Sequence, residues 1–465
     1  MFPLSTHQLA RLLNTTSADA PLIEQPISRV VIDSRLVQPG DVFFAIEGRQ
    51  THGVEFAADA ITAGAAAVVT DRISAEYARP LRQRTLVVPD TVSALQFLAR
   101  WNRSQSDAAV IGITGSVGKT STRQLIAAVL GTHAAGCQSP ANYNNELGVP
   151  LTLLQLRAEH RFAAVEMGAG RAGDIRILCE LARPVAAVVT RVAPCHLESF
   201  GDLQSIARTK AELPTSLESS HTAFLNADDP LVCGMVQATA ARVVFFGEQA
   251  AFSSRLADVH CENGRCRFRC GSDSFSITGP RQLVLSAAAA VAVGREWGLT
   301  PAIIQQGLDG FLPEAGRGRV TCGESLTVID ESYNCSPASL QACIRGLGDW
   351  TGSRRVLVAG EMLELGGDAE RLHRETAATL ADSKVNLAVF TGRFASVCCE
   401  AAVAAGFPAA RLLCVEDQTE LPRELLGALQ TGDIVLVKGS RALQLEKLVR
   451  VLLEYQGQPG PQRPV

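Results

Sequence analysis

No excess of positive charge marks this chain. Lys and Arg number 43 against 47 Asp and Glu, the net charge is -4 and the pI is about 6.1. Neither a basic nucleic-acid surface nor a polybasic membrane patch is expected. No apolar run is long enough to span a bilayer. The longest lies in "LVLSAAAAVAVG", residues 283–294, and reads as a buried helix. The opening "MFPLSTHQLARLL" carries no basic leader ahead of a long apolar stretch. A secretory signal is therefore not expected, and a cytoplasmic location is. There is no internal repeat. The 13 cysteines form no framework and cluster only in "HCENGRCRFRC", residues 260–270. His260, Cys261, Cys266 and Cys270 match no usual Cys-x-x-Cys knuckle. Their flanks alternate like a hairpin, so free thiols in a reducing compartment are expected and zinc is not.

What is present is material for packed cores: 465 residues, 47% of them hydrophobic and 19% charged. At roughly 150 residues per domain this suggests three domains. Short strand-like runs, "VVID" (30–33), "VFFAI" (42–46), "AAAVVT" (65–70) and "TLVVP" (85–89), point to a small α/β domain over 1–105. Over 106–312 strands and helices alternate more clearly. "FAAVEMG" (162–168) and "PVAAVVTRV" (184–192) are continuous apolar runs suited to strands buried on both faces. Four more such runs, "LTVID" (326–330), "RVLVAGEM" (355–362), "NLAVFTG" (386–392) and "DIVLVKGS" (433–440), predict a second doubly wound sheet within 313–465. The tail "QGQPGPQRPV" (456–465) reads as frayed.

The informative stretch is "GITGSVGKTSTRQLIAAVL", residues 112–130. An apolar run precedes it, and Thr122, Leu125, Ile126 and Val129 follow at helical spacing. In a phosphate loop, glycines let backbone N–H groups point at phosphate oxygens. The lysine adds charge, a Ser or Thr hydroxyl reaches Mg²⁺, and the helix N-terminus favours an anion. Gly118, Lys119 and Thr120 fit the G-x-x-x-x-G-K-[ST] pattern, but Ile113 holds the place of its first glycine. A phosphate loop also needs metal ligands from other strands. Glu166 ends one apolar run and His196 follows the next, and α/β sheets bind ligands at such strand ends. Lys210, in "SIARTKAEL", lies on a helix and by itself reads as a solvated lysine.

"TGSVGKTST" resembles the phosphate loop of the Mur ligases, whose glycines sit three apart. "NYNNELGVP" (142–150), "EMGAGRAGDI" (166–175), "HLESFG" (196–201), "IDESYNCSPAS" (329–339), "GEMLELG" (360–366) and "VLVKGSRA" (435–442) extend the resemblance in the family's order. They resemble its branch that adds a D-alanyl-D-alanine dipeptide. "DSRLVQPGDVFFAIEG" (33–48) resembles the family's domain for the UDP end of the precursor and brings in Ser34 and Arg35 as substrate-side residues.

The resemblance implies a three-domain α/β architecture: a small N-terminal domain, a central phosphate-loop ATPase domain on a mostly parallel sheet, and a Rossmann-like C-terminal domain. It implies that ATP phosphorylates a peptide carboxylate and that an amine then displaces phosphate. Gly115, Ser116, Val117, Gly118, Lys119, Thr120 and Ser121 would hold the nucleotide, with Gln282, Arg317 and Asp330 around it. Two Mg²⁺ sites are implied: Thr120 and Glu166 at one, His196 and a carbamylated Lys210 at the other. Asn144, Asn145, Asn334, Ser339, Lys438, Ser440 and Arg441 would face the substrates, UDP-N-acetylmuramoyl-tripeptide and D-Ala-D-Ala. A monomer is expected.

Departures from the family's pattern are local. Arg281, Gln282 and Leu285 stand where a His and two Asn flank adenine, and only Gln282 keeps an amide there. Gly170 replaces a polar residue, "QTHGVEF" (50–56) lacks the usual acidic residue, and Ser336 replaces an Asn. Two neighbouring readings are the ligase that adds the third peptide residue, whose "DNPR" motif is absent, and an inactive scaffold. A scaffold would be expected to lose Lys119, Glu166, His196 or Lys210. A phosphate-loop kinase or GTPase would not need the flanking domains.

Overall fold

The computed structural model describes residues 1–17, 21–48, 50–72, 79–195, 197–251 and 254–455. The expected frayed tail, 456–465, and His196 lie outside the described residues. The first sheet is parallel, β1 (Val30–Val31), β2 (Val42–Phe44), β3 (Ala67–Thr70) and β4 (Thr85–Val87), in that order. Its strands are shorter than the apolar runs that predicted them.

The central sheet carries β5 (Ala109–Thr114), β6 (Gly136–Gln138), β7 (Phe162–Glu166), β8 (Ala186–Val189), β9 (Thr222–Asn226) and β10 (Arg242–Phe246). All pair in parallel, in the order β10-β9-β8-β5-β7-β6. Strand alternation sends Ile111 and Ile113 to one face, against the helices Lys119–Gly131 and Leu283–Glu296. Val110 goes to the other face, with Leu95 and Leu98 of the helix Thr91–Ser104. The second of these helices matches the predicted buried run: eleven of its residues, from Leu283 to Gly294, are buried. Ser286 donates nothing to the apolar packing and instead accepts from the Thr122 hydroxyl at 2.9 Å. β5 lies between β7 and β8, so the chain leaves it in both directions, and the crevice at its C-terminal end is open to a ligand.

An antiparallel three-stranded sheet follows, β11 (Leu256–Glu262), β12 (Arg265–Cys270) and β13 (Asp273–Thr278). Its first two strands are the hairpin read from 260–270. They set Cys261 opposite Cys266 with Cα atoms 4.0 Å apart, and the two form a disulfide. The expectation of free thiols fails for this pair because the hairpin register brings both side chains to the same face. The other cysteines are free.

The last sheet has β14 (Arg319–Cys322), β15 (Thr327–Glu331), β16 (Arg355–Gly360), β17 (Leu387–Thr391), β18 (Leu412–Val415) and β19 (Ile434–Lys438). Their order is β14-β15-β19-β16-β17-β18, parallel except for β14. Apolar clusters cover both of its faces. It is tied to the central part of the chain at several points. The hairpin tip docks on it: Asn263 N–H donates to the Asp349 carbonyl at 3.2 Å, and Thr351 N–H to Asn263 Oδ1 at 2.9 Å. Arg281 pairs with Asp349 at 2.7 Å, and Leu197 N–H donates to the Glu364 carbonyl at 3.2 Å. Among the described residues no helix is long and apolar enough to cross a membrane.

Two helix glycines predict opposite outcomes for one substitution. A Cβ at Gly307 would lie 2.5 Å from Val129 Cα and 2.9 Å from the Ala128 carbonyl oxygen, whereas one at Gly427 would meet nothing within 4 Å. Gly307→Ala is expected to cost about 1–3 kcal/mol by forcing two helices apart, more than the ~1 kcal/mol alanine returns in helix propensity. Gly427→Ala is expected to gain up to ~1 kcal/mol. Thermal unfolding of both variants checks this, and a Gly307→Ala midpoint at or above the parent's contradicts the close approach.

Candidate active site

The loop after β5 is shaped by what surrounds it. Gly115 has φ +145°, and a Cβ there would stand 2.0 Å from Thr190 Oγ1 and 3.0 Å from the Arg191 nitrogen. Gly118, at φ +89°, ends the loop in the left-handed region and starts the helix Lys119–Gly131. Neighbouring strands fix the loop from outside. Thr190 donates to the Val117 carbonyl at 2.7 Å, Ser116 N–H donates to the Arg191 carbonyl at 2.6 Å, and Ser116 Oγ donates to the Ala193 carbonyl at 2.9 Å. The N-terminal amides of the loop helix are left facing a cleft. Lys119 curls over the loop, donating to the Gly115 carbonyl at 2.7 Å.

That cleft is a cavity of about 1240 Å³ between the central and last sheets. All seven loop residues expected to hold a nucleotide, 115–121, line it, as do Glu166, Lys210, Gln282 and Arg317. Asn144, Asn145, Asn334, Ser339, Lys438, Ser440 and Arg441 line it too. The C-terminal ends of two parallel sheets thus face one space.

Glu166, 2 % exposed, closes β7 directly beside the loop helix. Its Oε2 accepts from the Thr120 hydroxyl and its Oε1 from the Asn144 amide, both at 2.8 Å. Its backbone N–H donates to Ser139 Oγ at 3.0 Å. A carboxylate and a hydroxyl meeting at the head of a phosphate loop are hard oxygen donors, the set that suits Mg²⁺. The residues present therefore fit that ion.

Lys210 is 2 % exposed, on the helix Leu203–Thr215. Burial first, and then the nearby Lys119 charge, push its ammonium down to about 8. This is not the solvated lysine that its sequence context suggested. Glu212 on the same helix accepts from the Gly173 and Arg176 amides, at 2.7 and 2.9 Å, and so joins it to the helix Asp174–Ala182.

The remaining expected residues divide. Asn145 Oδ1 accepts from the amides of Leu147 and Gly148, a loop-ordering turn. Ser339 forms a capping box with Ser336, so this Ser does the work of a helix start. Lys438 is 3 % exposed and pairs with Glu331 at 3.4 Å, its register partner across β15 and β19. Burial pulls the Lys438 ammonium down while Cys343 and Glu331 lift it, and the net is above the ordinary lysine value. Gln282 donates to that same Glu331 at 2.9 Å. Asp330, expected beside the nucleotide, is 7 % exposed and not on the cavity wall. It accepts from the Gly316 amide at 2.7 Å and from the Ser332 hydroxyl at 2.6 Å, which makes it an anchor for the linker turn. Ser34 and Arg35 sit by the first sheet, away from the cavity, with Arg35 paired to Asp33 at 2.7 Å.

Sequence reasoning missed three residues here. Glu331 was quoted within a motif and assigned nothing. Tyr333 lies under Arg317, whose guanidinium carbon is 3.7 Å from the ring centre. Arg123 is 1 % exposed beside Glu166, and its signal was a charged residue on the same helical face as the buried Ile126 and Leu130.

Comparison with known proteins finds relatives over nearly the whole chain. Residues 26–103 match the model described as Mur ligase family, catalytic domain; residues 113–291 match the Mur ligase middle domain; residues 316–441 match Mur ligase, glutamate ligase domain. A Bacillus subtilis relative, named UDP-N-acetylmuramoyl-tripeptide–D-alanyl-D-alanine ligase, is 30% identical over 98% of this chain and 99% of its own. The backbone is similar to the crystal structure of MurF from Acinetobacter baumannii, with TM-score 0.85 and 28% identity over 97% of this chain and 99% of that one. It is also similar to the MurF ligase of Thermotoga maritima in complex with ADP, with TM-score 0.78 and 28% identity over 92% and 97% of the two chains. Kinship that runs from end to end, in sequence and in backbone alike, makes this protein a member of the Mur ligase family.

Proposed function

We propose that this enzyme uses ATP to join D-Ala-D-Ala to UDP-N-acetylmuramoyl-tripeptide. The observation that carries the reading is the single cavity in which a phosphate loop, a buried carboxylate and the strand ends of the last sheet meet. Full-length relatives carry that ligase name, and the Thermotoga relative was solved with ADP. Residues 1–105 would hold the UDP end through Ser34 and Arg35, 106–312 the nucleotide, and 313–465 the dipeptide.

Two anions, a peptide carboxylate and the γ-phosphate, have to be brought together. The loop amides and Lys119 offset that repulsion by holding the phosphates, and Lys119 stabilises charge that develops during transfer. Mg²⁺, when bound, neutralises phosphate charge; Thr120 and Glu166 would hold one ion, and His196 with carbamylated Lys210 the other. The carboxylate oxygen attacks the γ-phosphorus and ADP departs, leaving an acyl phosphate. The dipeptide amine then attacks the acyl carbon, and inorganic phosphate leaves. Arg317, fixed over Tyr333, and Gln282 line the same cavity and would reach the nucleotide. Asn334, Ser440 and Arg441 would present the dipeptide from the opposite wall.

ADP release by the purified protein is expected to require both UDP-muramoyl-tripeptide and D-Ala-D-Ala. Release with either one alone at the full rate would overturn the assignment. Lys119→Ala is expected to lower turnover about 10²–10³-fold with an unchanged melting midpoint. Near-normal turnover by the folded variant would remove the loop from the chemistry.

Carbamylation of Lys210 is supported by its burial, its place on the cavity wall and its lowered pKa, since CO₂ reacts with the neutral amine. The neutral fraction rises as pH passes about 8, rather than near 10.4 as for a free lysine. At one fixed concentration of dissolved labelled CO₂, loading of the protein is therefore expected to be faster at about pH 9 than at about pH 7. Lys210→Ala should lose both the label and most activity, with partial rescue by a short added carboxylate. Normal turnover by Lys210→Ala, or no carbamate signal in the active enzyme, contradicts the modification.

A further inference from the structure

None of the steps above uses Arg123. It stands one turn beyond Lys119 on the loop helix. One Nη donates to Gln138 Oε1 at 3.0 Å and to the Ser139 carbonyl, and the other donates to Glu314 Oε1 at 3.2 Å. Its Nε lies 3.7 Å from Glu166 Oε2 and donates no hydrogen bond. A single buried guanidinium thus stands between two carboxylates, Glu166 at 2 % exposed and Glu314 at 39 %.

The two carboxylates belong to different parts of the machine. Glu166 ends β7. Glu314 lies in the turn between the helix Pro301–Asp309 and β14, the passage into the last sheet. The Glu314 carbonyl accepts from the Arg317 amide at 3.1 Å. Two residues on, Gly316 is held by Asp330. The ion pair therefore fastens the phosphate-loop helix to the turn that carries Arg317.

We infer that Glu314 sets the Mg²⁺ affinity of Glu166 through Arg123, so that the linker turn registers whether the phosphate loop is loaded. This rests on reading Glu166 as a Mg²⁺ ligand. The guanidinium competes with a divalent cation for Glu166 and repels it. Glu314 shares that positive charge and weakens the competition. With Glu314 neutral, the whole attraction of Arg123 falls on Glu166 and its repulsion of the incoming cation is unopposed. Solvent and salt screen the buried Arg123–Glu166 pair little, and the half-exposed Glu314 more. Linkage demands the converse: a cation that engages Glu166 frees the guanidinium for Glu314 and tightens the turn. Arg123 touches neither nucleotide nor substrate in this scheme and is a positioning residue.

The test is binding, with no turnover involved. Calorimetry of a non-hydrolysable ATP analogue with the full-length protein, at a series of free Mg²⁺ concentrations, gives the Mg²⁺ midpoint. Glu314→Gln is expected to raise that midpoint about tenfold. Analogue binding in chelator should not change, and Glu314→Asp, which keeps the charge, should stay close to the parent. In an Arg123→Gln background the Glu314→Gln effect should vanish. A parental midpoint for Glu314→Gln, or an equal shift without Arg123, overturns the inference. Should Arg123→Gln fail to fold, Glu314→Gln against Glu314→Asp decides alone, and equal midpoints overturn it. Absence of Mg²⁺-dependent binding in the parent protein would instead sink the reading of Glu166 itself.

Discussion

Glu166 is a carboxylate removed from water at the head of a phosphate loop, and much of the central sheet is arranged to make that burial tolerable. A buried charge without partners is costly. Two segments distant in sequence supply those partners. Thr120 comes from the loop helix, Asn144 from the stretch after β6, and Arg123 from the next turn of the same helix. Ser139 fixes the backbone of the same residue. Parallel pairing of β5 with β7, Ile113 opposite Glu166, places this strand end beside the loop. Moving β7 by one residue would turn the carboxylate to the other face and leave the loop helix without it.

The last sheet answers with a similar device of opposite polarity. Lys438 is a buried cation at the end of β19, satisfied by Glu331 from the adjacent strand end and by the Asn334 carbonyl at 3.0 Å. Gln282 extends the set from the central part of the chain. Strand-end charges from two sheets, one paired to the loop helix and the other to the next strand, therefore wall a polar cavity. Such pairs add little net stability over apolar substitutes, yet removal of one member is severe because the other is stranded. Their use is to hold polar groups at fixed positions where substrates meet.

Much of this was legible in the sequence where a physical requirement leaves a mark. Gly115 and Gly118 are conspicuous because the loop needs positive φ and close approach, and the buried runs of β5, β7, β8, β16, β17 and β19 are conspicuous because both their faces are covered. β6, β9, β10 and β18 went unread, the first with no fully buried residue and β18 with one. Gln282 could be noted as an amide, but its partner Glu331 is 49 residues away, and no local pattern announces a pair across two sheets. Asp330 was assigned by its motif, and the motif does not say that its carboxylate is taken up by the Gly316 amide. Lys210 shows the limit most clearly. Its helix looks like any surface helix until the fold sets it against Lys119.

The docked hairpin tip has a mechanical consequence. The last sheet is fastened to the central part of the chain covalently at the linker turn around Gly316 and non-covalently at Asn263, which grips Thr351 and the Asp349 carbonyl. A body held at one point swings in every direction. Held at two, it rotates only about the line that joins them. Leu197 on the Glu364 carbonyl and Gln282 on Glu331 are further ties that take away this last freedom; were they released and the first two kept, the ends of β15 and β19 would be left a single angle to turn through, as a door meets its frame.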